Sequence, residues 1–216
     1  ITGTILPDWL TLVDNGDGTG TLTGTPDNGD VGVHAIVLAA DDGNGGTAAQ
    51  TFTVTVGNVE DLPQFTSTPV LTVDEDRAYT YVLRATDPDG DPLSFDDTNV
   101  PAWLTLTDNG DGTATLTGTP ENGDVGDHSI VVTVDDGNGN MVPQAFTVTV
   151  NNTNDAPSFT STPTVSATED VAYSYTIATV DDDGNPLTIN ATTIPSWLTL
   201  VDNGDGTATL SGTPEN

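Results

Sequence analysis

The 216-residue sequence contains no cysteine, no lysine and only two arginines. Without cysteine the chain can form neither a disulfide nor a thiolate metal site. No apolar run approaches the roughly 18 residues of a membrane-spanning helix, so we predict no membrane insertion. Helix-forming residues are scarce, and no stretch of useful length shows the helical period. The sequence therefore predicts an all-β protein with negligible helix.

The two arginines stand against 33 aspartates and glutamates, which gives a net charge of -31. Nucleic acids and anionic membranes bind through lysine and arginine, so both are excluded as partners. A compact fold with this many carboxylates repels itself unless cations or salt neutralise them. His34 and His128 are the only histidines, and neither has a second His, Cys or Lys near it in sequence. We expect half-buried or surface strand residues there, and we predict no enzyme.

The sequence repeats with a period of 94 residues and no insertion. Residues in phase include the tryptophans Trp9, Trp103 and Trp197 and the glycines Gly24, Gly118 and Gly212. A unit of this length is too long for a solenoid turn, but it fits one β-sandwich of about 100 residues. The period predicts the C-terminal part of one repeat at 1–59, a complete repeat at 60–153 and the N-terminal part of the next at 154–216. We expect an excerpt of a longer tandem array, or ends completed by neighbouring chains.

Alternation of apolar and polar residues predicts about seven strands in each repeat. In the complete repeat the clearest are at 79–86, 103–107, 113–118, 129–135 and 145–150, with weaker candidates at 70–73 and 92–95. In TFTVTV (51–56), phenylalanine and valine are predicted to face the core while the threonines face solvent. The pattern indicates an antiparallel sandwich.

The motif DNGDG occurs three times, at 14–18, 108–112 and 202–206. Each copy joins two alternating segments, and its glycines and asparagine supply the positive φ values of a tight turn. An EF-hand loop requires carboxylates at alternate positions and a glutamate twelve residues along. Asp202, Gly204 and Gly206 do not fit that spacing. We therefore predict a hairpin turn that binds no metal.

Four other acidic clusters lie at strand ends or between repeats. They are 74–76, 86–92, 134–139 and the linkers 58–63 and 152–157. Carboxylate and amide oxygens gathered from several loops form the shell of six to eight oxygens that calcium prefers. Two interpretations stay open at this point: ordered calcium between repeats, or solvated acidic loops in a protein adapted to salt.

The run EDRAYTYVLRATDPDGDPLSF (75–95) resembles the cadherin repeat, in which a strand-A glutamate precedes an A-T-D-x-D-G loop. PAWLTL, GTATLTGTP, NGDVG, VDDGNG and NDAP are similar to bacterial cadherin-like and immunoglobulin-like (dystroglycan-type) tandem repeats. The resemblance covers essentially the whole chain. It implies tandem seven-stranded immunoglobulin/cadherin-like sandwiches in a secreted adhesin or surface protein. It also implies calcium, Ca²⁺, at each junction between repeats.

The resemblance assigns calcium ligands to individual positions. At the second junction they are Glu75, Asp124, Asn152, Asn154, Asp155, Asp181 and Asp183. At the first junction they are Asp30, Glu60, Asp61, Asp87 and Asp89, and the A-x-D-x-G aspartate falls on Asp135 or Asp136. This chain departs from the family because the D-R-E motif is reduced to N-G-D at 122–124 and the linkers lack the full D-x-N-D-N. We therefore expect one or two ions at each junction instead of three.

These features predict a non-catalytic structural extender, in which calcium stiffens an extracellular rod or fibre. The partners would be neighbouring repeats or neighbouring chains. One alternative is a self-assembling filament protomer whose end repeats are completed by strands of other chains. Another is a carbohydrate-binding module, which an exposed row of aromatic side chains would support. Against glycans as partners, the tryptophans that follow LPD, VPA and IPS are predicted to close the end of the sandwich core.

Overall fold

The computed structural model describes residues 1–215, and its regular structure is almost entirely β-strand. Two 3-10 turns, Asn28–Asp30 and Asn122–Asp124, are the helical elements of this described part. None of its helical segments is long and apolar enough to cross a membrane. The predictions of an all-β chain and of negligible helix are confirmed.

The N-terminal strands form two small antiparallel sheets. They are β1 (Thr2–Ile5), β2 (Leu10–Asp14), β3 (Gly20–Gly24), β4 (Gly32–Asp41) and β5 (Thr47–Val56). One sheet has the order β1-β4-β5, and β2 pairs with β3 in a hairpin. In β5 the apolar residues Phe52, Val54 and Val56 are half-buried, whereas the threonines between them are exposed. The predicted orientation of TFTVTV is therefore confirmed.

Eight strand segments build a closed sandwich in the centre of the chain. They are β6 (Gln64–Phe65), β7 (Thr72–Asp74), β8 (Tyr79–Thr86), β9 (Ser94–Asn99), β10 (Leu104–Asp108), β11 (Thr113–Gly118), β12 (Gly126–Asp135) and β13 (Met141–Asn151). One sheet has the order β10-β11-β8-β6 and the other β7-β13-β12-β9. The first strand is divided, since β6 pairs with β8 while β7 pairs in parallel with β13. This division gives eight segments in a seven-stranded sandwich.

The core lies between these two sheets. Along β8 every second residue is buried, beginning with Tyr79, Tyr81 and Leu83. These side chains share one cluster with Ile130 and Val132 of the facing sheet. Residues that alternate along a strand point to opposite faces of the sheet, so this alternation explains why β8 coincides with the predicted segment 79–86.

The C-terminal strands form one further sheet. They are β14 (Ser158–Phe159), β15 (Tyr173–Val180), β16 (Leu198–Asp202) and β17 (Thr207–Gly212), in the order β14-β15-β17-β16. Strand by strand this is the sheet β6-β8-β11-β10, displaced by one period of 94 residues. The equivalent phenylalanines differ in burial, because Phe65 packs against the sandwich core whereas Phe159 is 73% exposed.

Candidate metal centres

The second junction is the region where β13 runs into the linker 152–157. Because β7 lies parallel to the end of β13, Asn151 stands opposite Asp74, and Glu75 is brought beside the linker. The backbone N–H of Glu75 donates to Asn151 O at 3.0 Å, and Thr153 N–H donates to Glu75 Oε1 at 2.6 Å. The Glu75 side chain is only 1% exposed. Strand pairing therefore buries a carboxylate at the base of the linker.

Two further carboxylates reach this point from the far side of the linker. Asp155 lies within the linker, and Asp183 lies in the loop that follows β15 of the next repeat. The backbone N–H of Asp155 donates to Asp183 Oδ2 at 2.6 Å. One carboxylate oxygen from each of Glu75, Asp155 and Asp183 lies within 4.8 Å of the other two. Segments before, within and after the linker thus converge on one acidic centre.

Two oxygens of this centre lack a hydrogen-bond partner. Glu75 Oε2 and Asp183 Oδ1 are both buried, and no donor in the described part of the chain reaches them. A buried carboxylate oxygen without a donor is costly, because its lost hydration is not replaced. A cation with oxygen ligands would supply what is missing. The donor set of carboxylates, with backbone and amide oxygens nearby, fits calcium or another hard divalent ion.

The electrostatics of the second junction agree with that reading. The pKa of Asp155 is raised above its ordinary value of 3.8, first by burial and then by the neighbouring carboxylates, in decreasing order Asp183, Asp76, Glu75 and Asp182. Like charges held close together disfavour further ionisation of each group. The centre therefore carries excess negative charge, which a bound divalent cation would neutralise.

The first junction, around the linker 58–63, brings together a related set. Oxygens of Glu60, Asp89 and Asp91 lie within 4.8 Å of one another. Asn138 Nδ2 bridges two of them, donating to Glu60 Oε2 at 3.0 Å and to Asp91 Oδ2 at 2.8 Å. As at the second junction, the linker aspartate is tied to the loop: Asp61 N–H donates to Asp89 Oδ2 at 2.7 Å.

A buried unpartnered oxygen also occurs here. Asp87 Oδ1 accepts from Asp89 N–H at 2.8 Å, whereas its Oδ2 is buried and without a donor among residues 1–215. The position equivalent to Glu75 at this junction would lie before residue 1, outside the sequence described. The two junctions therefore show different parts of one repeated arrangement.

Several residues that the resemblance assigned are used in other ways. Asp30 Oδ2 and Asp124 Oδ2 each accept a backbone N–H three residues earlier, from Asp27 and Glu121, at 2.9 Å. These bonds close the two 3-10 turns. The asparagines Asn152 and Asn154 are exposed. Neither Asp30 nor Asp124 belongs to the carboxylate groups that lie within 4.8 Å of one another in the described part of the chain.

The remaining assigned residues stabilise their own loops. Asp135 Oδ1 accepts Gly137 N–H at 2.7 Å, and Asp181 Oδ1 accepts Asn185 N–H at 3.1 Å. Asp136 is 2% exposed. Its burial raises the pKa, but hydrogen bonds from Asn138 N–H and from the amide and N–H of Asn140 outweigh burial and hold the pKa below its ordinary value. The carboxylate of Asp136 therefore accepts its hydrogen bonds from residues of its own loop.

Two members of the first centre were not predicted, Asp91 and Asn138. Asp91 stands two residues after the D-x-D pair, and its repeat equivalent is Asn185, so repetition gave no signal for it. Asn138 lies in the predicted acidic loop 134–139, but the residues predicted there were the aspartates Asp135 and Asp136, and no amide was included. Their proximity depends on how that loop folds towards Asp91, which sequence spacing does not encode.

The DNGDG motifs form hairpin turns, as predicted. They join β2 to β3, β10 to β11 and β16 to β17. In the last copy Asp205 Oδ1 accepts both the hydroxyl and the N–H of Thr207, at 2.6 and 3.0 Å. These bonds hold the pKa of Asp205 below its ordinary value. The aspartates of the motif accept hydrogen bonds from residues of the turn itself.

Trp103 is half-buried and packs against the core of the sandwich. Its ring makes edge-to-face contacts with Tyr79 at 5.8 Å and with His128 at 5.8 Å between centroids. A Cβ added at Gly118 would lie 1.9 Å from Trp103 O, so only glycine allows the two strands to approach here. This position favours the predicted core role over a sugar-stacking role.

Comparison with known families is consistent with the sheets described above. A family model with the description "Putative Ig domain" matches residues 1–57 and 62–151. The chain belongs to this immunoglobulin-like family. No curated protein sequence matches it.

Solved structures with cadherin repeats have the same fold. The extracellular domain of protocadherin gamma B4 aligns with 100% of this chain and 38% of its own, at 18% identity and a TM-score of 0.51. PcdhgB3 EC1-4 aligns with 99% of this chain and 58% of its own, at 19% identity and a TM-score of 0.50.

A glycoside hydrolase also contains a similar region. The endo-fucoidan hydrolase MfFcnA4 of family 107 aligns with 100% of this chain at 30% identity and a TM-score of 0.41. The chain spans 34% of the length of that hydrolase.

Proposed function

We propose that this immunoglobulin-like chain is a non-catalytic extender of an extracellular rod, in which calcium stiffens the junctions between successive repeats. In this proposal residues 1–59, 60–153 and 154–216 belong to three consecutive repeats, and the linkers 58–63 and 152–157 are the joints. Near-identical repeats suit a spacer, because a spacer needs length more than variety. The surface of a cell or an extracellular fibre is the expected location.

The observation that carries the proposal is the pair of buried, unpartnered oxygens at the second junction, Glu75 Oε2 and Asp183 Oδ1. They come from opposite sides of the linker and converge with Asp155. Without a cation, like charges repel and the joint flexes. A calcium ion bound by these residues would remove the repulsion and tie both repeats and the linker to one centre. Asp87, Asp89, Asp91 and Glu60 would act in the same way at the first junction.

A calcium titration of the full chain tests this proposal. Scanning calorimetry and small-angle X-ray scattering should show a higher Tm and a longer, less variable particle as EDTA is replaced by calcium. Asp183→Asn should weaken both responses, whereas Asp96→Asn, which removes an exposed charge on β9, should preserve them. If Tm and particle length are the same with EDTA and with millimolar calcium, the acids are solvated loop residues and the metal proposal is wrong.

A second candidate, assembly with neighbouring chains, is favoured by the apolar surfaces of the terminal sheets. Phe159 of β14 is 73% exposed, and Val165, in the segment between β14 and β15, is 92% exposed. Between the β2–β3 hairpin and β4–β5 lies a cavity of about 490 Å³, lined in part by Leu12, Leu22 and Leu38. Apolar area left in water costs about 25 cal/mol per Å², so further repeats or other chains would be expected to cover it. Concentration-dependent fibres in electron micrographs would support assembly, and a monodisperse monomer would contradict it.

A further inference from the structure

The two histidines and the two 3-10 turns form one repeated arrangement at both junctions. His34 Nε2 lies 2.5 Å from Asp30 O, and His128 Nε2 lies 2.6 Å from Asp124 O. A carbonyl oxygen can only accept, so in each case Nε2 must carry the hydrogen and donate it. Each histidine is thereby bonded to the last residue of a 3-10 turn four residues before it.

Each histidine is also held from the side of the core. Trp9 contacts His34 edge to face at 5.7 Å, and Trp103 contacts His128 at 5.8 Å. Trp103 in turn contacts Tyr79, which is 2% exposed. Aromatic contacts of this kind favour a specific ring orientation. The imidazole is therefore a rigid link between the core and the turn.

The other end of each turn reaches across the junction. Asn28 Nδ2 donates to Asp61 Oδ2 in the first linker at 3.1 Å. Asn122 Nδ2 donates to Asp182 O in the loop that carries Asp183. Both acceptors lie in the next repeat and beside the candidate metal centres. The same four-part path thus runs from tryptophan through histidine and turn to asparagine at both junctions.

We propose that His34 and His128 are positioning residues, each of which holds a 3-10 turn so that its asparagine forms a hydrogen bond to the following repeat, here called the latch. The acceptor is Asp61 of the linker at the first junction and Asp182 of the acidic loop at the second. The latch consists of ordinary hydrogen bonds and requires no metal. It gives each joint a preferred orientation before any cation binds. The proposal uses the arrangement of repeats but not calcium, so it can hold or fail independently of the metal proposal.

The two 3-10 turns differ in the side-chain hydrogen bond made by the residue that precedes each turn. In the first, Asp27 Oδ1 also accepts Gly29 N–H at 2.9 Å. In the second the equivalent residue is Glu121, whose side chain makes no such cap. The second turn therefore has fewer bonds of its own and depends more on its histidine. Loss of His128 should loosen its junction more than loss of His34 loosens the first.

Spin labels on the full chain test the latch directly, and the absence of native cysteine makes labelling clean. T107C and T199C, on exposed strand positions of β10 and β16, report on the second joint, and pulsed dipolar spectroscopy is done in EDTA. In H128A and in N122A the population outside the main distance should rise by roughly fivefold, which matches the net loss of one hydrogen bond. Narrow distributions in both variants would overturn the proposal.

H128Q separates positioning from general structural damage. The amide Nε2 of glutamine can occupy nearly the place of the imidazole Nε2 and donate to the same carbonyl, so H128Q should restore the narrow distribution. A distribution as broad as that of H128A would overturn the role of this hydrogen bond. With labels at T11C and T107C, H34A should broaden the first joint less than H128A broadens the second. An equal or larger effect of H34A would contradict the difference assigned to Asp27.

Discussion

The backbone N–H of Asp155 donates to Asp183 Oδ2 at 2.6 Å, and the same bond joins Asp61 to Asp89 at 2.7 Å. The linker is thus anchored to the acidic loop of the following repeat at both junctions. This bond occupies the Oδ2 oxygen of each acceptor. At the second junction the other oxygen, Asp183 Oδ1, is buried without a partner.

We expect Asp155→Asn to stabilise the metal-free protein at neutral pH. The pKa of Asp155 is raised in the folded chain, so its stabilising contribution is present below the ordinary value of 3.8 and is lost as pH rises through the raised pKa. Scanning calorimetry in EDTA should show a higher Tm for the variant at pH 7 and a smaller difference at pH 3. Asp96→Asn serves as the charge-matched control. A variant that is less stable than wild type at pH 7 would contradict this sign.

The same substitution should act in the opposite direction when calcium is bound. Asp155 would then supply a ligand, and replacing its carboxylate by an amide weakens the attraction to the cation. Tm of Asp155→Asn should therefore rise less with calcium than Tm of wild type, so that the order of the two proteins reverses. Parallel titration curves for the two proteins would show that Asp155 does not bind the ion.

Glu75 allows charge to be separated from hydrogen bonding. Glu75→Gln retains an oxygen to accept Thr153 N–H and removes a buried charge, so stability in EDTA should be equal or higher. Glu75→Ala also removes the acceptor of that N–H, which should cost about 1–3 kcal/mol. Denaturant unfolding of the two variants measures the difference. Equal losses in both would mean that the carboxylate charge itself stabilises the metal-free joint.

Gly118→Ala should destabilise the central sandwich. The added Cβ would lie 1.9 Å from Trp103 O, and neither backbone can yield without disturbing the β10–β11 pairing. Overpacking of this kind costs about 1–3 kcal/mol or more. Gly123→Ala is the matched control, since a Cβ there meets nothing within 4 Å. If urea midpoints of the two variants coincide, the close approach at Trp103 is not limiting.

Asp111→Ala should leave the calcium response unchanged. Asp111 Oδ1 accepts Thr113 N–H at 3.2 Å and its hydroxyl at 2.5 Å, so the variant should lose about 0.5–1.5 kcal/mol per hydrogen bond removed. The shift of Tm between EDTA and calcium should equal that of wild type. A reduced shift would indicate that the hairpin tips bind calcium after all.

Strands could be predicted from the sequence where apolar and polar residues alternate without interruption. Tyr79 to Thr86 alternates without interruption, and its strand has the predicted bounds. The two weakly predicted strands, at 70–73 and 92–95, have different bounds in the structure, Thr72–Asp74 and Ser94–Asn99. Such short edge strands are set by their partners, as β7 is by its parallel pairing with β13, and not by their own pattern.

Only some residues of the two acidic centres could be predicted from the sequence. The resemblance named Glu75, Asp155 and Asp183, which the fold brings together. It also named Asp124, whose Oδ2 accepts Glu121 N–H within the 3-10 turn and which lies outside the carboxylate group of the second junction. The histidines were predicted as half-buried or surface strand residues, and both are half-buried on strands. Their hydrogen bonds to the turns and their aromatic contacts with tryptophan were not predicted, because the tryptophans lie 25 residues earlier in the sequence.

The near identity of the three hairpins bears on folding more than on stability. β2–β3, β10–β11 and β16–β17 pair in the same register, from leucine opposite glycine to the DNGDG tip. In an unfolded chain each of these strands is an acceptable partner for its counterpart in another repeat, so exchange between repeats competes with correct pairing. Folding in order from the N-terminus would protect such an array, because each hairpin would close before its rival emerged.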